Sequence, residues 1–124
     1  MPIRKLEKTA WHAYLDNLSK ALNGKRAEIE VASLTIGDQI QADWVPLVGL
    51  VYEPEEDIVE IILEDDNHES IDHIVHHPQE MYVDYGADGL ASLEIVDNDG
   101  TQQIILLRDP LMLPSPKVGG VSRN

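Results

Sequence analysis

The feature that most constrains this chain is a change of hydrophobic period near residue 27. Before it, apolar side chains recur every three or four residues; from Glu28 onward the period changes to two. A chain of 124 residues patterned this way has room for one helix and one sheet around a single core. The reading is therefore an α+β domain, with one N-terminal amphipathic helix packed on an antiparallel sheet of about five to seven strands.

The helix is expected over Ala10 to Leu22, where Trp11, Tyr14, Leu15, Leu18 and Leu22 form one apolar stripe. Thr9 is placed to cap its start, and Asn23-Gly24 supplies a left-handed stop. Ile29 and Val31 then alternate with Glu28 and Glu30, and Ile40, Ala42 and Trp44 with Gln39, Gln41 and Asp43, which reads as a hairpin turning at Gly37-Asp38. A further run, Leu47 to Tyr52, leads into the turn Glu53-Pro54-Glu55-Glu56-Asp57. The strand Ile58 to Glu64 follows, with Val59, Ile61 and Leu63 on one face. Trp11 and Tyr14 read as core anchors, and Trp44 as the inward residue of its strand.

Ile71 to His77 supports two readings. Ser70 would cap a short helix stopped by Pro78, whereas Ile71, Ile74 and Val75 favour a strand. Met81 to Tyr85 is a strand, and Leu90 to Val96 joins Gln102 to Leu107 through the turn Asp97-Asn98-Asp99-Gly100. The unalternating run Ile104 to Leu107 belongs near the sheet centre, covered on both faces. Residues 1–113 form the expected domain, and 114–124, rich in proline and polar residues, a flexible tail.

Charge is segregated along the chain. The net charge is −14, and the block from residue 27 to 107 holds twenty carboxylates with no lysine or arginine. Its carboxylates must face water, the basic ends of the chain, cations or a partner. Direct binding of nucleic acid through this block is disfavoured, because phosphates would meet like charge. No apolar run suits a membrane span, so the expected location is the cytoplasm.

The absence of cysteine removes thiolate chemistry, leaving histidine and carboxylate as strong metal ligands. His68, His73, His76 and His77 fall within ten residues, with Asp72 and Asp66 beside them, a donor set suited to a divalent transition metal. No HExxH motif, serine elbow or phosphate-binding glycine loop is present, and neither Asp84 to Gly89 nor Asp97 to Gly100 follows a calcium-loop pattern. The sequence thus leans away from an enzyme and assigns no catalytic residue and no resident cofactor.

The first function reading is a non-enzymatic binding or regulatory module that meets a basic protein or a second copy of itself, a homodimer. Its contacts would lie in the densest acidic loops: Glu53, Glu55, Glu56, Asp57, Asp65 and Asp66. A metal-binding protein or metal-dependent enzyme built on the histidine cluster is the second reading. A carboxylate-studded mimic of nucleic acid, occupying a basic protein, is the third.

Several short motifs occur in fixed order: Trp11-His12-x-Tyr14, Lys25 to Val31, Gly37-Asp38-Gln39, His77-Pro78 and Leu107-Arg108-Asp109-Pro110-Leu111. In this order the chain resembles a family of short bacterial proteins of unknown function, over about Lys5 to Leu113. The resemblance implies a bacterial cytoplasmic protein and carries no activity, cofactor or site residue with it.

Overall fold

A computed structural model describes residues 3–22, 25–33 and 37–112. Strand β1 (Ile3–Lys5) leads through a 3-10 turn at Lys8–Ala10 into helix α1 (Trp11–Ala21). Then come β2 (Arg26–Ser33), β3 (Gly37–Glu53), β4 (Ile58–Glu64), β5 (Ser70–His76), β6 (Pro78–Gly86), β7 (Gly89–Asp97) and β8 (Gln102–Leu111). The strands form an eight-stranded sheet in the order β1-β6-β7-β8-β2-β3-β4-β5. Every pairing is antiparallel.

The expected architecture, one helix on a large antiparallel sheet, is the observed one, but the sheet has eight strands rather than five to seven. Two local causes account for the difference. The three-residue β1, too short and too basic to stand out in the pattern, pairs with β6. Ser70–His76 is a strand and not a short helix, because all seven residues pair with β4 and the β-branched Ile71, Ile74 and Val75 suit that ladder.

The runs expected as separate strands at 39–44 and 47–52 are one 17-residue strand, β3. Its first part pairs with β2 as far as Pro46, and its second part pairs with β4 from Leu47 onward. Trp44 marks the change of neighbour with a φ of 53°, in the left-handed region where a bulky residue is strained. It is half-buried rather than a core residue, and its carbonyl accepts a 2.9 Å bond from the Arg26 guanidinium. The Gly37-Asp38 pair expected as a turn lies within β3, and the connecting residues 34–36 are outside the described ones. So are Asn23-Gly24 and the expected tail at 114–124.

Helix α1 buries Trp11, Leu15 and Leu18, as the stripe requires, with Leu22 buried just beyond its end. Thr9 is not its cap: the 3-10 turn precedes the helix, and Ala10 occupies the N-cap position without a side-chain bond. The helix does more than cover the core. Once β2 has ended its pairing at Pro46, the adjacent edge of β3 would carry unpaired peptide groups. Ser19 Oγ fills one such gap, accepting from Leu50 N–H and donating to Leu50 C=O, both at 2.9 Å. Two residues further along the same edge, His12 Nδ1 donates to the Tyr52 carbonyl at 3.2 Å. Replacing Ser19 with alanine leaves both Leu50 groups unsatisfied and should cost about 1–3 kcal/mol, read as a lower urea midpoint with an unchanged slope.

The core is aliphatic, with Leu15, Leu50, Ile61, Met81, Ile95 and Ile105 among its fully buried side chains. β8 lies between β7 and β2, near the sheet centre, with Ile105 and Leu107 buried inside and Ile104 and Leu106 half-buried on the other face. The two halves of the sheet also meet across the core: His73 on β5 donates from its ring to the amide oxygen of Gln103 on β8. At 7% exposure Gln103 is a buried polar side chain that needs such a partner.

Candidate interaction surface

The period-two alternation of β4 puts Val59, Ile61 and Leu63 into the core and turns Ile58, Glu60, Ile62 and Glu64 outward. The register places Val51 of β3 opposite Glu60, and Glu53 opposite Ile58. On the other side Ile74 of β5 faces Glu60, Asp72 faces Ile62, and His76 faces Ile58. The outer face of β3–β4–β5 is therefore a weave of aliphatic side chains and carboxylates, with Val48 and Ile74 exposed at 50% and 40%.

Glu60 is the electrostatic centre of this face. Its carboxyl is pushed above the ordinary value of 4.5 by the hydrogen bond with Asp72, then by partial desolvation, and then by the charges of Asp72, Glu53 and Glu56. Like charges are held together here with no lysine or arginine from residues 27–107 to offset them. A raised carboxyl destabilises the fold as pH rises through its titration, so the face is more strained with Glu60 ionised than with it protonated.

The acidic loops singled out from sequence are not one patch. Glu53, Glu55, Glu56 and Asp57 lie at the start of β4, whereas Asp65 and Asp66 lie at its far end, about 20 Å away along seven residues of strand. Glu55, Glu56 and Asp66 are exposed. Asp65 serves its own loop, its Oδ1 accepting from Asn67 N–H at 2.8 Å and Glu69 N–H at 2.9 Å.

Asp57 is engaged inside the molecule. Its Oδ1 accepts from Lys8 Nζ at 3.1 Å and from the Tyr52 hydroxyl at 3.0 Å, and its Oδ2 lies 3.5 Å from His77 Nδ1. Lys8 also donates to the Pro78 carbonyl at 3.1 Å and sits over the rings of Trp11 and Tyr52. Asp57 and His77 both adopt left-handed φ, 55° and 53°. They face each other across the ladder, where His77 N–H donates to the Asp57 carbonyl at 2.9 Å, while the His77 carbonyl accepts from Asn98 at 3.1 Å. This knot ties the N-terminal segment to the β3–β4 turn, the β5–β6 corner and, through Asn98, the β7–β8 turn, and nothing in local sequence announces that Lys8, Tyr52, Asp57 and His77 converge.

Burial alone would raise the Asp57 carboxyl, but the bonds from Lys8 and Tyr52 and the neighbouring positive charge outweigh it and hold the group below its ordinary 3.8. A carboxyl lowered on folding adds stability above its unfolded value and loses that contribution as pH falls through the folded one. Asp57→Asn should therefore lower the melting temperature at neutral pH, with the gap to wild type closing below pH 3.8. A gap that stays constant with pH would contradict this role.

The four clustered histidines separate. His68 is exposed in the β4–β5 loop, 3.3 Å from Glu64; His73 points inward to Gln103; His76 is on the outer face; His77 belongs to the knot. Asp72 lies beside Glu60. Among the described residues, no three histidine or carboxylate side chains come together as a metal-ligand group. The Asp97 loop is turn chemistry: Asp97 Oδ1 accepts from Asp99 N–H and Thr101 N–H, and Gly100 takes a φ of 82°.

These features define a small α+β domain with an eight-stranded antiparallel sheet, an acidic and aliphatic outer face and an internal ion-pair knot. The chain belongs to the Family of unknown function (DUF5335), matched over residues 2–116. It is 36% identical over 114 residues to an uncharacterized protein of Aquifex aeolicus (strain VF5), covering 92% of this chain and 99% of that one. No solved structure matches it. Among the described residues, no helix is long and apolar enough to cross a membrane.

Proposed function

We propose that this protein is a non-enzymatic binding module whose outer β3–β4–β5 face docks a basic segment of a partner protein. The observation that carries the reading is the cluster of Glu60, Asp72, Glu53 and Glu56 among exposed aliphatic side chains, with the Glu60 carboxyl raised by its neighbours. Such a face loses stability when empty and gains from an incoming cation, so partner lysines or arginines would relieve repulsion while the aliphatic side chains lose water. The acidic loop residues Glu55 and Glu56 extend the same field and help steer encounter.

Pull-down from the native host at low ionic strength tests this. Partners should be retained by wild type, released as salt rises from about 50 to 200 mM, and retained poorly by an Asp72→Lys variant. Retention independent of both salt and Asp72, or a stoichiometric transition metal in native mass spectrometry of untagged protein, would replace the reading.

A further inference from the structure

Strand β5 ends the sheet, and the hydrogen-bond phase shows which of its peptide groups are left over. The bonds of His77 N–H to Asp57 C=O and of Asp65 N–H to Glu69 C=O fix two bonded positions of the β4–β5 ladder. Since bonded and non-bonded pairs alternate, Ser70, Asp72, Ile74 and His76 occupy the non-bonded positions of the register. Their N–H and C=O groups point away from β4, and no described strand pairs with them. The comparable edge of β3 is closed by Ser19 and His12; the β5 edge has no such cover among the described residues.

Two further observations say what would cover it. Of the exposed large aliphatic side chains, Ile71 and Ile74, 44% and 40% exposed, lie on opposite faces of this one strand, so an added strand would shield both. Asp72, beside Glu60, puts negative charge on the outer side of the same edge. A second copy of the chain would bring the same carboxylates up against these, at −14 per chain.

We infer that the β5 edge accepts an extended basic segment of the partner as a ninth strand, bonded to Asp72 and Ile74, with its lysines or arginines on the Asp72–Glu60 side and aliphatic residues towards Ile71. This deepens the proposed function and rests on it: the face supplies charge, and the edge supplies direction and register.

The probe is a seven-residue peptide of alternating lysine and valine, compared with the same peptide N-methylated on alternate residues, which keeps its charge but removes the donors of one edge. Binding followed by calorimetry and amide exchange should show protection of Asp72 and Ile74 amides with the unmodified peptide. Methylation in the phase that faces β5 should weaken binding by about tenfold or more, the loss expected for two or more hydrogen bonds. Equal binding of all peptides, lost in Asp72→Lys, would overturn the edge and leave the acidic face standing. Failure of every peptide to bind would overturn both. Protection of β5 amides without peptide, together with a dimeric mass, would assign the edge to a second copy and overturn the partner strand.

Discussion

Trp11→Ala is expected to destabilise the protein by about 3–5 kcal/mol, a large part of the roughly 5–15 kcal/mol that holds a domain of this size together. Trp11 is 1% exposed, stands edge-on to Tyr52 with centroids 5.1 Å apart, and donates from Nε1 to the Leu6 carbonyl at 3.2 Å. Its removal opens a cavity beneath Lys8, leaves the Leu6 carbonyl without that donor, and withdraws one wall of the knot that holds Asp57. Urea titration should show a much lower midpoint with little change in slope. A loss below about 1 kcal/mol would mean that the helix start collapses onto the sheet without it, and that the knot depends little on this ring.

Asp72→Lys is expected to lower affinity for a basic segment by roughly tenfold to a hundredfold at low salt, while leaving the melting temperature unchanged or higher. Both signs follow from one geometry. Asp72 raises the Glu60 carboxyl by its hydrogen bond and its charge. A lysine there would pair with Glu60, removing repulsion from the fold and attraction from the surface together. Stability gained where binding is lost is the trade expected of a surface shaped for a partner. The difference in affinity should narrow as salt screens the charges. Weaker binding accompanied by unfolding would instead mark Asp72 as structural.

The parts legible in sequence were those set by local periodicity. The stripe from Trp11 to Leu22 and the alternation of Ile58 to Glu64 need no distant information, because a helix and a half-buried strand each impose their own spacing. The same holds for the Asp97–Gly100 turn, where the side chain bonds its own loop. The left-handed backbone at Trp44 is not legible in sequence, because it falls where β3 changes neighbour, a property of the sheet rather than of the residue. Ile71 to His76 stayed ambiguous for a related reason: its strand form is set by pairing with β4.

The site shows the same division. A count of acidic residues picked out the loops at 53–57 and 65–66, but alternation already placed Glu60 between Ile58 and Ile62 on the outer face. What it did not supply was the register that brings Asp72 beside Glu60 from the next strand. Asp57 looked like part of an acidic contact loop, yet it is held by Lys8, nearly fifty positions earlier in the chain. The histidines were close in sequence and diverge in space because a strand sends alternate side chains to opposite faces, and His77 then leaves the strand at a left-handed corner.

The most direct measurement is calorimetric titration of a lysine-rich peptide into wild-type protein and into the Glu60→Gln/Asp72→Asn variant at low and high salt, with the melting temperature of each taken alongside. Wild type should bind in a salt-sensitive way, and the variant about tenfold more weakly while melting at the same temperature or higher. Equal affinity of the two proteins, or affinity indifferent to salt, would contradict it.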